Sequence, residues 1–338
     1  MTQSSTAAGE DSFIKYKEIA KRAIFHYPGN DQATVELLDY SENYTYLVTN
    51  NENRKKKILR VCRPNYHCKL QIESELKWIQ AVDEQVPVEV PIPIEGKNGK
   101  LIQTINMEND PFEYYCVMFT FLEGEAPDEK KEEELMIQFE RLGEITARLH
   151  NHTQHWKEAA TLHRESWDFD AILGDHPKWA RWQDGIGITP EIKELFQNVS
   201  NIVKHRLERF GKGPDRFGLI HADLRLANLL IEGKSIKVID FDDCGFGWYL
   251  FDLGAALSFI EHKPYVPHLV RAWVKGYRKW RALSKEEVNE IPTFIMMRRL
   301  MLISWIGSRN NNTTKELGEE YTKQTIPLAN KYVKDFKE

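Results

Sequence analysis

The stretch His221-Ala222-Asp223-Leu224-Arg225-Leu226-Ala227-Asn228, followed after one predicted hairpin by Asp240-Phe241-Asp242, carries the strongest chemical signal in this chain. It sets a carboxylate, a basic side chain, an amide and a second carboxylate in the order used by enzymes that move the γ-phosphoryl group of ATP to a hydroxyl. Such a transfer needs an acceptor oxygen aimed at phosphorus and charge to offset the phosphates, because positioning and electrostatics supply most of the catalysis. Asp223 is placed to accept the acceptor's hydroxyl hydrogen, a contribution of roughly 10²–10⁴ in rate if it acts as a general base. Arg225, two residues on, is a cation within reach of the transferred group. Asn228 and Asp240 offer an amide oxygen and a carboxylate, hard donors that suit Mg²⁺ when phosphate oxygens and water complete its shell.

The run between the two halves of this pattern explains how they meet. Asn228–Glu232 and Ser235–Ile239 are β-rich, and Gly233-Lys234 between them reads as a hairpin turn that returns Asp240 to Asn228. Asp252 reads as a buried structural carboxylate bonding the backbone of the catalytic loop, and His221 as architectural. For Asp242 and Asp243, contact with metal or substrate and simple exposure to solvent stand open together.

Around this centre the chain organises itself by periodicity. Ser12 is placed to cap a helix through Ile14, Ile19, Ala23 and Ile24 that Pro28-Gly29 would end. Ala33–Leu38, Tyr44–Thr49 and Lys57–Cys62 alternate as three antiparallel strands, and Leu70–Val82 has helical spacing. Leu101–Ile105 and Tyr114–Phe121 are two further strands. From Pro127-Asp128 to about His150 an acidic, amphipathic helix follows, with Leu135, Phe139, Leu142, Ile145 and Leu149 on one face. Ser284-Lys285-Glu286-Glu287 is a capping box, and Pro292 can open an apolar core helix that includes Arg298 and Arg299.

The chain has 338 residues, enough for about two domains, and a formal net charge of −5 with its basic residues scattered, so no nucleic-acid partner is expected. Four separated cysteines form no zinc or redox pattern. Met1 to Glu10 lacks the apolar core of a secretory signal, and the apolar run Phe294–Ile306 is too short to span a bilayer, so residence in the cytoplasm and no membrane partner are expected.

The segments Leu219–Asp223 with Asn228, Val238–Asp243 and Phe251-Asp252-Leu253-Gly254 resemble the aminoglycoside phosphotransferase and choline kinase superfamily, most of all its type II homoserine kinase-like and stress response kinase branch. Compatible segments run from about Ala33 to Tyr277. The resemblance implies an α+β, two-lobed protein-kinase-like fold with ATP in the cleft. It assigns residues 1–120 to an N-terminal lobe with an antiparallel sheet and helix, and 121–338 to a larger, mainly helical lobe carrying the catalytic loop and metal site.

The family's nucleotide parts are sought in the first lobe, where the sequence departs from the pattern. A glycine-rich loop is absent, and Tyr40-Ser41-Glu42-Asn43-Tyr44 stands in its place, so the amides of Ser41 to Asn43 are the candidates to cover phosphates. Arg60 replaces the usual lysine, with Glu75 as its expected partner, Glu73 as the other choice, and Lys57 as an alternative on the opposite side of the strand. The segment Met118, Phe119, Thr120, Phe121 resembles the adenine-binding hinge, though periodicity alone fits an ordinary buried strand equally.

Two tempting signals are set aside. Gly233-Lys234-Ser235 lacks the earlier glycine of a P-loop, and His150, His152 and His155 read as exposed residues at a helix C-terminus rather than metal ligands. The expected activity is therefore an ATP- and Mg²⁺-dependent kinase of a small hydroxylated, amino-bearing metabolite, an ammonium that Trp167, Trp179, Trp182 or Trp248 could contact if they do not serve the core. A protein Ser/Thr kinase of the stress response type and a non-catalytic nucleotide-binding regulatory protein are the alternatives.

Overall fold

The structure is a computed structural model and describes residues 4–309 and 312–336. The chain divides into one unit formed by Met1–Asp83 with Val90–Glu123 and a second formed by Glu84–Glu89 with Gly124–Glu338. The architecture is mixed α+β.

In the first unit, α1 (Ser4–Ile24) precedes β1 (Ala33–Tyr40), β2 (Asn43–Asn50), β3 (Lys56–Cys62), α2 (Lys69–Gln85), β4 (Pro93–Ile94), β5 (Ile102–Asn106) and β6 (Glu113–Thr120). The sheet runs β1-β2-β3-β6-β4, with β5 also on β6, and every pairing is antiparallel. Its register puts Tyr44, Tyr46 and Val48 on one face, where they pack with Leu59, Val61, Tyr114, Cys116 and Met118 against Tyr16, Ile19, Ala20 and Ala23 of α1. Tyr16 stacks on Tyr44 with ring centroids 3.8 Å apart. The expected helix start is corrected here. Ser12 lies inside α1 rather than at its cap, and its hydroxyl shares a hydrogen bond of 2.8 Å with the Tyr44 hydroxyl.

The second unit contains α3 (Glu132–His155), β7 (Ser166–Trp167), α4 (Phe169–Leu173), α5 (Pro190–Phe210), β8 (Phe217–Ile220), β9 (Leu229–Glu232), β10 (Ser235–Val238), β11 (Gly245–Trp248), α6 (Phe251–Ala256), α7 (Val266–Tyr277), α8 (Lys285–Ser308) and α9 (Asn312–Phe336). The helix α3 starts at Glu132, later than Pro127-Asp128 suggested, with three glutamates in its first turn where the helix dipole favours them. Glycines let α3 and α7 cross at backbone distance: a Cβ on Gly143 would meet the Trp273 carbonyl at 2.1 Å, and one on Gly276 the Glu140 carbonyl at 1.7 Å. The Ser284 box forms, its hydroxyl accepting from the Glu287 N–H at 3.1 Å. Pro292 starts no helix, because α8 is continuous from Lys285 and carries the proline inside it.

Residues Glu84–Glu89 join the second unit through specific bonds. The Val238 N–H donates to the Glu89 carbonyl at 3.0 Å, and Lys237 pairs with the Glu89 and Glu232 carboxylates. No helix among the described residues is long and apolar enough to cross a membrane.

Candidate active site

The predicted hairpin forms: β9 and β10 pair Val238 with Leu229 and Ser235 with Glu232, and the turn is Gly233-Lys234. Its open end holds the two halves of the motif together. The Ile239 N–H donates to the Asn228 carbonyl at 3.0 Å, while the Ile239 carbonyl lies 3.1 Å from His221 Nε2. The peptide just before Asp240 is thus held from both sides. Asp240 itself adopts a left-handed backbone, φ +62°, which turns its carboxylate out of the strand direction and into solvent.

Asp223 sits at the centre of a converging set. Its Oδ2 accepts from Asn228 Nδ2 at 2.7 Å and from Arg225 Nε at 3.2 Å. Its Oδ1 pairs with Arg298 Nη2 of α8, whose Nε also reaches Ser258 Oγ at 2.9 Å. Burial pushes the Asp223 carboxyl up, but the charge of Arg298, then that of Arg225, outweighs it and holds the group below the ordinary carboxylate value. An ionised carboxylate accepts hydrogen bonds only, so this arrangement suits aiming a hydroxyl more than removing its proton early. The Asn228 amide nitrogen is committed to Asp223, so the amide oxygen is the atom that a cation would meet.

Among the described residues no group of three or more His, Cys, Asp or Glu side chains is arranged to hold a metal ion by itself. Asn228 and Asp240 fit a divalent ion that draws its other donors from phosphates and water.

The loop's backbone is fixed from beneath. Asp252 Oδ1 accepts from the Ala222 N–H at 2.7 Å and Oδ2 from the His221 N–H at 3.2 Å. His150 Nε2 reaches the same Oδ2 at 3.0 Å, and its Nδ1 lies 2.8 Å from the Tyr277 hydroxyl. The expected structural role of Asp252 matches this placement, whereas the exposed reading of His150 is overturned: it is buried in the grip on the loop. Only His155 of the three histidines is exposed. Asp242 is also buried rather than solvent-facing, and the backbone of Asp242 to Cys244 is bound by Arg164 and by the Trp167 indole.

Burial pushes His150 and His221 below the ordinary histidine value, against the opposing charge of Asp252. The unfolded chain therefore takes up protons that the native state refuses. Stability is full above the unfolded value of about 6.5 and is lost below it, by about 1.4 kcal/mol per pH unit for each histidine. The urea midpoint should fall from about pH 7.5 to about pH 5.5; an unchanged midpoint would mean that both histidines take up protons in the native state as they do in the unfolded chain.

The first unit's candidates divide into two groups. Arg60 and Glu75 form a buried bidentate pair, Nη1–Oε1 2.8 Å and Nη2–Oε2 2.6 Å, and Lys57 turns to the other side, to the Pro28 carbonyl and Asn30. At the Ser41–Asn43 turn one of the three candidate amides is already engaged within the turn. The Ser41 N–H donates to the Asn43 carbonyl at 3.0 Å, its hydroxyl bonds Glu42, and Asn43 Oδ1 accepts from the Arg63 N–H. Met118, Phe119 and Thr120 lie within the ladder, paired with Leu59, Ile58 and Lys57 of β3, while β4 takes the other edge. The Met118 side chain is in the core on the α1 face, so Phe121, the first residue past β6, is the member of that set outside the ladder.

Trp167, Trp182 and Trp248 are core residues, and Trp179 is half-buried between Trp167 and Trp305. Arg298 is the site residue that sequence reasoning did not select. The available signal was a charge inside an apolar helix, which requires a buried partner.

The profile of the phosphotransferase enzyme family (APH) matches residues 35–285. The solved structure of the microcompartment-associated aminopropanol kinase is similar over 94% of this chain and 98% of its own, at 40% sequence identity and a TM-score of 0.85. Amicoumacin kinase of Bacillus subtilis strain 168 is 24% identical over 319 residues, covering 91% of this chain and 89% of its own length. A solved amicoumacin kinase, hAmiN in complex with AMP-PNP, Ca²⁺ and Ami, shares the fold at a TM-score of 0.73 and 19% identity, over 95% of this chain and 96% of its own.

Proposed function

Because this chain belongs to the phosphotransferase enzyme family, whose members here are ATP-dependent kinases of small hydroxylated metabolites, we propose that its acceptor is a short amino alcohol of the aminopropanol class. The observation that carries this reading is the 40% identity to an aminopropanol kinase, sustained over nearly the whole of both chains.

In the proposed reaction Asp223 accepts a hydrogen bond from the acceptor hydroxyl and aims its oxygen at the γ-phosphorus. The new O–P bond forms as the bond from γ-phosphorus to the β,γ-bridging oxygen breaks. ADP leaves, and the hydroxyl proton passes to Asp223 or to the product phosphate. Arg225, whose side chain is about a third exposed, offers its charge to the transferred group. Asn228 and Asp240 hold Mg²⁺, which neutralises phosphate charge when bound. Arg60, fixed by Glu75, is the cation assigned to the nucleotide phosphates, and the chain from Phe121 onward supplies the adenine contact.

The test is Mg²⁺-dependent ATP consumption with 1-amino-2-propanol, ethanolamine, homoserine, an amino sugar and a generic protein substrate, with Asp223→Asn as the blank. Turnover greatest with the amino alcohols and lost in the blank supports the proposal. Preference for another acceptor removes the substrate class while leaving the kinase. In the same assays Asp240→Ala should weaken nucleotide binding in Mg²⁺ but hardly change it in EDTA; equal loss in both conditions would remove Asp240 from the metal site.

A further inference from the structure

The second unit contains a cavity of about 770 Å³ away from the Asp223 cluster, walled by the last turn of α3, the turn that follows it, residues 85–87 and Trp280. Its chemistry is one-sided. Arg148 lays its guanidinium 3.7 Å from the centre of the Trp280 ring and has no hydrogen bond or ion pair among the described residues. An arginine stacked in this way keeps its edge N–H groups in fixed directions, ready for a carboxylate or phosphate. Lys157 adds a donor, while Glu158 is the one carboxylate in the wall.

Aromatic surface lies beside that charge. Trp280 is 49% exposed, and Trp156 stacks on His152 with centroids 5.3 Å apart. His152 Nε2 lies 3.2 Å from Gln85 Oε1, and its Nδ1 is buried without a partner. A cavity with a preset guanidinium and two indoles is complementary to an anion that carries a flat apolar body.

The walls are the same elements that hold the catalytic loop. Asn151 Nδ2 donates to the Trp280 carbonyl at 2.8 Å, which ties α3 to the chain beyond α7. Between Arg148 and His152 in sequence, His150 faces inward to Tyr277 and Asp252, and Asp252 grips the His221 and Ala222 N–H groups. A ligand that clamps Arg148 to Trp280 therefore restrains the two elements on which that grip depends.

We propose that this cavity is an effector site for an aromatic anion, a carboxylate or a phosphate ester, and that its occupation is transmitted through His150 and Asp252 to the backbone of the 221–223 loop. The binding half is independent of the reaction proposed above. The functional importance of the coupling rests on Asp223 being the catalytic carboxylate.

The experiment is calorimetric titration of the full chain with phenyl phosphate, benzoate and inorganic phosphate in the presence of saturating Mg-ADP. Saturable binding of phenyl phosphate at one site per chain is expected, weakened at least about tenfold in Arg148→Met and in Trp280→Ala. Benzoate binding in its place identifies the carboxylate source. Absence of saturable binding by both aromatic probes, or binding that survives both substitutions, overturns the proposal. Coupling is read without turnover, by hydrogen exchange of the His221 and Ala222 amides. Slower exchange on adding the bound probe to wild type, and no change in Arg148→Met, is the expected result. Unchanged exchange in the wild type at saturation overturns the coupling. Because neither reading uses an acceptor, an enzyme inactive on amino alcohols would still decide both halves.

Discussion

Asp223→Asn is expected to lower kcat by roughly 10²–10⁴ while nucleotide affinity stays near that of the wild type. The change keeps the size of the side chain but removes its charge and replaces one acceptor oxygen by an NH₂ donor. Around that position Arg298, Arg225 and Asn228 all donate. The new NH₂ group must therefore face another donor or turn toward the acceptor, and either arrangement spoils the aim of the hydroxyl. Measurement of kcat with the best acceptor, together with the Kd for Mg-nucleotide and a melting curve, separates loss of chemistry from loss of fold. Turnover equal to wild type would remove Asp223 from its assigned role.

Arg298→Met should be the next most damaging change. The guanidinium is almost wholly buried, pairs with Asp223, reaches the Ala222 carbonyl at 3.3 Å and bonds Ser258. Losing one charge-assisted hydrogen bond to Asp223 corresponds to about 1.5–3 kcal/mol, or about 10–100-fold in kcat if Asp223 has the proposed role and all of it is felt in the transition state. Stability should fall as well, toward the lower end of the roughly 3–5 kcal/mol for breaking a buried pair, since Arg225 and Asn228 still face Asp223. A double-mutant cycle distinguishes positioning from scaffolding. If Arg298 acts by holding Asp223, its replacement costs little further activity in the Asp223→Asn background; an equal fold-loss in both backgrounds would make its role purely structural. Arg298→Lys retains the charge but not the three-way geometry and should recover only part of kcat.

The first sheet was readable because its alternation is regular: Tyr44, Tyr46 and Val48 could face a core only as a strand, and the Gly233-Lys234 turn fixed the register of the hairpin beside Asn228. Arg60 and Glu75 were found through the family resemblance, with Glu73 as the other choice, and strand alternation served only to place Lys57 on the opposite side. What escaped was of two kinds. Boundaries escaped where two signals competed, as at Ser12 and Pro292, each a plausible helix start inside a longer helix. Long-range partners escaped because charge and spacing along one segment do not name what packs on it. Arg298 finds Asp223 75 residues away, and His150 finds Asp252 102 residues away. The short strands β7 and β11, two and four residues long, are too brief for periodicity to register. At the Ser41–Asn43 turn the Ser41 N–H closes onto the Asn43 carbonyl, a bond that spacing along the segment does not disclose.

The assignment of Glu84–Glu89 to the second unit, although flanked on both sides by the first, has a consequence for taking the molecule apart. A single cut after Glu123 leaves the downstream fragment without the Glu89 carbonyl that receives the Val238 N–H, and without the carboxylate that meets Lys237 beside the β9–β10 hairpin. The upstream fragment retains those six residues without their packing partners. Neither product is a complete folding module. Insertion at the surface turn Asn51–Asn53 interrupts neither set of bonds and is the better route to a tagged enzyme.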